Sequence, residues 1–517
     1  MKNIKTLAMY LPQFHRLEEN DKWWGKGFTE WTAVKAAEVL FEGHNQVREP
    51  LDDNYYDLMQ KEVMEWQADL AMKYNISGFC FYHYYFKDGR KILEKPAENL
   101  LQWKDINMPF CFCWANGTWA RTWSNIGYVN SWSEKFENKG DCESSILLEQ
   151  NYGGYEQWKA HLEYLLPFFD DERYIKIENK PVFLFFKPDD IPVLSKMLSC
   201  WRELLNLKGY EGIYAIGINV PKKMECLDAT LIQMPNAVRQ GRGIAGMYAK
   251  EKWINGLKTY NYEELCDNIV AAQKLDDFKT FFGGFVDFDD TPRRGKLGTV
   301  MTNVTTTNFE RQMYQLAVKN IVSKNEYLFI NAWNEWGEGN YLEPDKKIEY
   351  SYLEIIKRIM DKCNAEDFDA EKEWAVIKGK YRYLNMDNGK KELAEELNKF
   401  KSLFGTLNKW LTLKEQGKTL EEYFIQHKYK RVVIYGFAAL GKHLYEELVN
   451  TSIEIVCAID RRAGLEYRGL PIITTGSEIP CCDIVVVTPV YDFENISMLL
   501  KEKTHVPIVS LDELFIK

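Results

Sequence analysis

The sequence of 517 residues lacks the features that mark several common classes of protein. No run approaches the roughly eighteen apolar residues of a membrane-spanning helix. Basic residues are in the minority, with 66 Lys and Arg against 76 Asp and Glu, and the net charge of -10 argues against a nucleic-acid partner. The apolar stretch before Pro12 is too short for a secretory signal peptide. We therefore expect a cytoplasmic protein without a membrane span.

Paired cysteines and metal-ligand motifs are also missing. The eleven cysteines are odd in number and lie mostly in apolar runs, which is typical of buried thiols in a reducing compartment. Cys111 and Cys113 have no second Cys or His pair at ligand spacing, so we expect no metal site. Aromatic residues are plentiful instead, at 14% of the chain, and many adjoin Gly, Asn and acidic residues.

Short apolar runs alternate with longer amphipathic stretches, as in proteins built from alternating strands and helices. Eight runs predict strands, at residues 5–11, 76–82, 109–115, 182–187, 213–218, 230–234, 280–288 and 327–333. Eight such units predict an α/β fold, a (β/α)8 TIM barrel. An open doubly wound sheet is the alternative, and the lack of a glycine-rich phosphate loop after the first strand disfavours it.

The predicted barrel covers residues 1–365, and a charged helical connector covers 366–427. Residues 428–517 begin as a strand, a glycine turn and a helix, and then continue as further short strands. This order predicts a small Rossmann-like α/β domain.

The turn of that domain keeps Gly436 and Gly441, but Ala438 stands where the middle glycine of Gly-x-Gly-x-x-Gly belongs. Asp460, at the end of the next strand, is placed to hold a ribose. Binding of a nucleotide or nucleotide sugar and a docking role without a nucleotide are equally good interpretations.

The segment LFINAWNEWGEGNYLEPD leads out of the eighth predicted strand. Glu335 and Glu338 lie three residues apart there, and paired carboxylates at the carboxyl end of a barrel strand are the usual equipment for glycosidic-bond chemistry. Neighbouring acids push their pKa values apart, so one can stay protonated while the other is ionised. Acids that merely cap a helix are the alternative. The surrounding Trp and Asn residues disfavour it.

Aromatic and polar clusters also follow other predicted strands, and barrel active sites collect at these ends. A single Trp most often packs in a core, but clusters interrupted by Gly, Asn and Arg favour a sugar-binding site. The candidate substrate-binding residues are His15, Trp24, Glu30, His83, Trp114, Asn116, Trp119, Arg121, Asp290, Arg293, Asn334, Trp336 and Asn340.

These segments carry a family resemblance. YLPQFHRLEENDKWWGKGFTEWTAV, GFCFYHYYF, CFCWANGTWARTW, DDTPRR and NAWNEWGEGNYLEPD resemble the WbsX-like family of bacterial polysaccharide loci, over residues 1 to about 360. That family is related to family 99 glycoside hydrolases, the endo-α-mannosidases and mannanases. The family-99 catalytic pair occurs as Asn-Glu-Trp-His-Glu. Here Gly337 replaces the His between the two acids.

The resemblance implies that Glu335 is a base for the sugar's own 2-hydroxyl and that Glu338 is the general acid/base. It also implies an α-mannoside-like or α-rhamnoside-like linkage in an oligosaccharide or polysaccharide of the O-antigen, lipopolysaccharide or capsule, and no cofactor in the barrel. Three functions stay open: a retaining glycoside hydrolase or transglycosylase, a glycosyltransferase that uses a nucleotide-sugar donor, and a non-catalytic glycan-binding protein. The presence of both acids disfavours the third.

Overall fold

A computed structural model describes residues 4–120, 146–239, 249–275, 277–381, 384–460 and 466–515. The chain divides into two compact units. They are Met1–Lys252 with Lys258–Leu384, and Trp253–Leu257 with Asn385–Lys517.

The first unit contains all eight predicted strands. They are β1 Lys5–Tyr10, β2 Ile76–Tyr85, β3 Phe110–Trp114, β4 Lys180–Phe185, β5 Tyr214–Ile218, β6 Ala229–Ile232, β7 Lys279–Phe282 with its continuation Gly284–Phe285, and β8 Tyr327–Asn331. Their side chains are buried almost throughout. Burial on both faces explains why these strands are continuous apolar runs without alternating polar residues.

The eight strands pair in parallel in chain order, and the sheet closes on itself. The first segment of β7 pairs with β6, and its continuation pairs with β8. Strand β8 then pairs with β1, with Leu7 opposite Phe329 and Ala8 opposite Ile330. The predicted (β/α)8 barrel is therefore confirmed.

Helices follow or precede most of these strands. They are α1 Glu18–Trp24, α2 Glu30–Lys35, α3 Lys61–Lys73, α4 Lys95–Gln102, α5 Tyr155–Phe169, α6 Leu194–Asn206, α7 Asn236–Arg239, α8 Tyr262–Ala271, α9 Thr291–Arg294, α10 Thr306–Val322, α11 Ser351–Cys363 and α12 Ala370–Tyr381. Helix α6 shows why they form: Leu194, Leu198, Trp201 and Leu205 recur every three or four residues and are buried.

Short strands extend the loops between these elements, and two of them include residues of the segment Trp253–Leu257, which belongs to the second unit. They are Lys91–Ile92, Trp119–Ala120, Ile146–Leu148, Lys176–Ile177, Lys252–Ile254, Leu257–Asn261, Thr299–Thr302, Asn334–Glu335 and Asn340–Tyr341. The last two pair antiparallel and form a hairpin directly after β8. That hairpin carries the predicted catalytic segment.

The barrel core extends to the end of α12. Ile377 and Tyr381 are buried in it. The Tyr381 hydroxyl lies 3.0 Å from Asp267 Oδ1 and 2.9 Å from Gln315 Oε1. Helix α12 is thus an integral layer of the barrel unit.

The second unit is built around a parallel sheet. Its elements are α13 Leu384–Glu415, α14 Glu421–Gln426, β9 Arg431–Tyr435, α15 Ala439–Leu448, β10 Glu454–Ile459, β11 Leu470–Ile473, β12 Ile484–Val487, α16 Phe493–Lys501 and β13 Ile508–Ser510. The strand order is β11-β10-β9-β12-β13, and a short strand, Glu466–Tyr467, lies antiparallel at the β11 edge.

Residues that precede β9 belong to the core of this sheet. Trp410, Leu420 and Phe424 are buried together with Val432 and Ile434. The helical segment before the sheet therefore packs as part of the second unit. Across the described ranges, no helix combines the length and the apolar character needed to cross a membrane.

Candidate active site

Arg293 lies at the centre of the candidate active site and binds three carboxylates. Its Nε donates to Glu30 Oε1 at 2.6 Å, Nη1 to Glu338 Oε1 at 2.7 Å and Nη2 to Glu335 Oε2 at 2.9 Å. Arg293, Glu30 and Glu335 are largely buried, whereas the Glu338 side chain is 25% exposed. One guanidinium thus holds both predicted catalytic acids close to each other.

Glu335 has an unusual proton affinity. Burial raises its pKa to about 8. The charge of Arg293 opposes this rise, and the charges of Glu338 and Glu30 add to it. Burial thus favours the protonated form of Glu335, and its hydrogen bond from Arg293 favours the carboxylate.

Glu30 occupies the space beside Gly337. A Cβ atom at position 337 would lie 1.8 Å from Glu30 Oε1 and 2.7 Å from Arg293 Nε. Any side chain at this position would displace the Glu30–Arg293 pair. The family-99 motif has a His side chain at this position. This chain has Gly337 there, and the buried Glu30–Arg293 ion pair occupies the space where a side chain would begin.

Backbone contacts hold the segment that carries Glu338. The Glu338 carbonyl accepts from Asp289 N at 2.6 Å. The next carbonyl, of Gly339, accepts from Arg48 Nη1 at 3.2 Å, and Arg48 Nη2 donates to Asp287 Oδ2 at 2.8 Å. Glycine at 339 fits because its φ is 60° and a Cβ there would lie 2.8 Å from Arg48 Cζ.

Glu343 forms a second buried acidic site behind the hairpin. It accepts from Trp336 Nε1 at 2.7 Å, from Gln67 Nε2 at 2.7 Å and from the Tyr56 hydroxyl at 2.9 Å. Burial raises its pKa to about 7. The indole of Trp336 also stacks on Tyr341, with ring centroids 3.7 Å apart. Trp336 is 1% exposed, so its indole packs inside the protein and supports the hairpin.

Three predicted asparagines are fully buried and tie backbone segments together. Asn334 accepts from Leu11 N at 2.7 Å and donates to Leu11 O at 3.0 Å. Asn116 makes the same kind of paired contact with Lys187 N and O, both at 2.8 Å. Asn340 Oδ1 accepts from Val286 N at 3.0 Å. These amides join different backbone segments. The contacts of Asn116 and Asn334 explain both without a ligand, whereas the buried Nδ2 of Asn340 makes no hydrogen bond with a described residue.

The structure does not bring His83 and Trp114 to the carboxylates. His83 Nε2 lies 2.8 Å from Nε2 of His161 on α5, and the Trp114 ring packs against His161 at 4.9 Å. Both side chains point to the helix layer outside the barrel. Burial lowers the pKa of His83 to about 3, so the ring is neutral.

Tyr82 and Tyr84 face the carboxylates from the same strand. Burial raises the pKa of both hydroxyls, and the charge of Glu335 raises both further. Successive residues of a strand point to opposite faces, so these tyrosines face inwards when His83 faces outwards. Neither tyrosine is among the candidates named from the sequence, although strand alternation places both on the face opposite to that of His83.

Asp290 and His15 lie near other parts of the barrel mouth. Asp290 Oδ1 accepts from Thr299 N at 2.6 Å, and its carbonyl accepts from Arg293 N at 3.2 Å. Asp290 therefore fixes the turn that carries Arg293. His15 is 2% exposed, and neither ring nitrogen makes a hydrogen bond with a described residue. Burial lowers the pKa of His15.

Three predicted residues fall outside what the structure describes: the side chains of Trp24 and Trp119 and the whole of Arg121. Within the described ranges, no group of His, Cys, Asp and Glu is arranged to hold a metal ion.

The glycine turn of the second unit has its own structural explanation. Gly436 has a φ of 87°, which favours glycine, and a Cβ at Gly441 would lie 2.2 Å from the Gly436 carbonyl. Asp460 Oδ2 accepts from Phe437 N at 2.7 Å. Both glycines are thus needed by the turn itself, and nucleotide binding there stays a prediction.

A model of the family described as glycosyltransferase WbsX matches residues 6–356. The chain belongs to this WbsX family. Two curated relatives, the uncharacterised protein WxcX of two strains of Xanthomonas campestris pv. campestris, are 30% identical over 369 residues, which are 69% of this chain and 50% of theirs. The chain thus spans about half the length of these relatives.

Solved structures with a similar fold include the GH99 endo-α-mannosidase from Bacteroides thetaiotaomicron. It is 14% identical, with a TM-score of 0.42, and the match covers 69% of this chain and 97% of that one. A glycoside hydrolase-like protein is 10% identical, with a TM-score of 0.44, over 70% of this chain and 94% of that one.

Proposed function

We propose that this WbsX-family protein is a glycan-active enzyme of bacterial surface-polysaccharide metabolism that uses Glu335 and Glu338 as its catalytic acids. The observation that supports it most is the contact of both carboxyl groups with the Arg293 guanidinium at the carboxyl end of the barrel strands. Active sites of this fold lie at that end.

The unequal environments of the two acids suit a reaction at a glycosidic bond. Glu335 is buried and has a raised pKa, whereas Glu338 is partly exposed. One acid that holds a proton and one that is ionised can protonate a leaving oxygen and assist attack at the sugar carbon. The family resemblance implies that Glu335 is the base and Glu338 the general acid/base, whereas burial of Glu335 favours its protonated form.

We further propose an oligosaccharide or polysaccharide substrate with an α-mannoside-like or α-rhamnoside-like linkage, which rests on the motif resemblance. The first candidate reaction is hydrolysis or transglycosylation with retention, and the barrel needs no cofactor for it. Glycosyl transfer from a nucleotide sugar is the second candidate. The WbsX family's description and the glycine turn between β9 and α15 favour it.

The test is a panel of α-mannosyl and α-rhamnosyl oligosaccharides, each incubated with the full chain in the presence and absence of nucleotide sugars. Cleavage without nucleotide supports the first candidate. Release of nucleoside diphosphate together with a lengthened glycan supports the second. Binding without turnover of any member of the panel would mean a glycan-binding protein and would contradict the proposal.

Variants then test the residues. Glu335→Gln and Glu338→Gln should each lower kcat by a factor of about 10²–10⁴ with little change in glycan affinity. Glu225→Gln, at an exposed glutamate outside the site, is the matched control. If Glu335 is the proton donor, kcat/KM falls as the pH rises through about 8; if Glu335 is the base, kcat/KM rises there.

A further inference from the structure

Helix α13 of the second unit carries a row of large apolar side chains that are exposed. Leu397, Phe404 and Leu411 are seven residues apart, and Phe400 and Leu407 lie between them, also seven apart. These side chains are 49%, 62%, 55%, 67% and 40% exposed in that order. The rings of Phe400 and Phe404 are stacked, with an interplanar angle of 14°. We refer to these five residues as the α13 seam.

The seam is not the side of α13 that packs on the sheet. Thr406 and Trp410 are buried, and Leu413 packs against the core of the second unit. Trp410 Nε1 also donates to Glu447 Oε2 of α15 at 2.6 Å. At 3.6 residues per turn, this row and the seam are separated by about a third of the helix circumference. The contacts that hold α13 in its unit therefore leave the seam uncovered.

The spacing of the seam is that of a coiled coil. Its residues alternate steps of three and four, which averages 3.5 residues and keeps the row straight along a partner helix. A helix that only covers a globular core follows a 3.6-residue period instead.

We propose that the α13 seam binds the α13 seam of a second copy of this chain. An identical helix offers the same repeat, so one seam is complementary to another across a two-fold axis. With roughly 100 Å² of exposed apolar surface per side chain, two seams would bury about 1,000 Å² together, which is where specific interfaces begin. An exposed apolar row of this size marks an interaction surface.

The test measures the mass of the full chain in solution by light scattering and sedimentation. The expected mass at micromolar concentration is twice the chain mass of 60.8 kDa. The variant Phe400→Glu should reduce it to one chain, since the dimer would bury two like charges without partners. Thr412→Glu, at an exposed position of the same helix outside the seam, is the matched control and should keep the dimer.

Two results would overturn the proposal. A single-chain mass for the unaltered protein would mean that something other than a second copy covers the seam. A dimer that survives Phe400→Glu would place the interface elsewhere.

A second measurement guards against a folding failure in Phe400→Glu. Phe404 is the middle residue of the seam, so Phe404→Cys brings two thiols together whether the paired helices run parallel or antiparallel. Mild oxidation should give a covalent dimer of Phe404→Cys and not of Thr412→Cys. Equal yields from the two variants would also contradict the proposal.

Discussion

Glu30 lies where a side chain at position 337 would begin, 1.8 Å from the Cβ atom that alanine would add to Gly337. The two positions are 307 residues apart in the sequence and are joined through Arg293, which contacts Glu30 and both acids that flank Gly337. The hairpin after β8 and the start of α2 therefore pack closely against each other in the site.

Gly337→Ala should accordingly disrupt the site. We expect it to lower the free energy of unfolding by about 1–3 kcal/mol, because the new methyl group must displace the Glu30–Arg293 pair. Chemical denaturation measures this change. Gly379→Ala, where a Cβ meets nothing within 4 Å, is the control and should not destabilise the protein.

The coupling is tested by combining two changes. In a Glu30→Ala background, where the obstructing carboxylate is gone, Gly337→Ala should lower the free energy of unfolding by far less. Equal costs in the two backgrounds would show that the obstruction lies elsewhere.

The titration of Glu335 is the second prediction. Its signal in the ¹³C spectrum of glutamate-labelled protein, assigned by its loss in Glu335→Gln, should titrate near pH 8. Glu338→Gln should lower this midpoint, because it removes a negative charge that raises the pKa. Arg293→Met should raise the midpoint, because it removes the opposing positive charge. A midpoint near the ordinary glutamate value of about 4.3 would contradict this account.

The fold could be predicted from the sequence because each strand is a local apolar run. The run at 76–82 is β2, and the run at 280–288 is β7 with its continuation after Gly283. Gly283 interrupts β7 in the middle of the predicted run. The presence of this strand could therefore be predicted more easily than its exact bounds. The number and order of strands needed no knowledge of long-range contacts.

The candidate site was harder to predict, because both faces of a barrel strand are buried. The segment FCFYHYYF gives no polar alternation that separates Tyr82 and Tyr84 from His83. The contact between Glu30 and Arg293 spans 263 residues and follows only from barrel closure. Segment composition did place Glu335, Glu338, Glu30 and Arg293 among the candidates.

The buried pair His83 and His161 predicts a loss of stability in acid. Burial lowers the pKa of His83 to about 3, below the unfolded value of about 6.5, so the unfolded chain binds more protons between these values. His83 therefore contributes stability above pH 6.5 that is lost as the pH falls, by up to about 1.4 kcal/mol for each pH unit.

Denaturation at pH 7 and pH 5 checks this. The double variant His83→Phe with His161→Phe should lose less stability between the two pH values than the unaltered protein does. His427→Gln, at an exposed histidine, should not alter the difference. An unchanged pH dependence in the double variant would refute the prediction.

Asn334 gives a prediction that separates support of the hairpin from sugar binding. Its amide satisfies both Leu11 N and Leu11 O in the buried core. Asn334→Ala leaves both backbone groups without that partner and should lower the free energy of unfolding by about 2–5 kcal/mol. Asn206→Ala, at an exposed position at the end of α6, should change it by less than about 1 kcal/mol. Full stability of Asn334→Ala together with weaker glycan binding would favour a direct ligand contact.

The last prediction concerns where the chain can be cut. The barrel core ends at Tyr381, whose hydroxyl contacts α8 and α10, whereas Trp410, Leu420 and Phe424 pack in the core of the second unit. A protein of residues 1–384 should therefore be soluble and cooperatively folded. A protein of residues 1–427, which keeps those three apolar side chains and loses the sheet that covers them, should aggregate.

The same two proteins separate the candidate reactions. If the carboxylates act hydrolytically without the second unit, residues 1–384 retain cleavage of the glycan with the same dependence on Glu335 and Glu338. If a nucleotide-sugar donor binds at the turn of Gly436 and Gly441, the shortened protein loses donor binding and transfer together. An insoluble 1–384 protein beside a soluble 1–427 protein would contradict the boundary, because the helical segment would then be needed by the barrel.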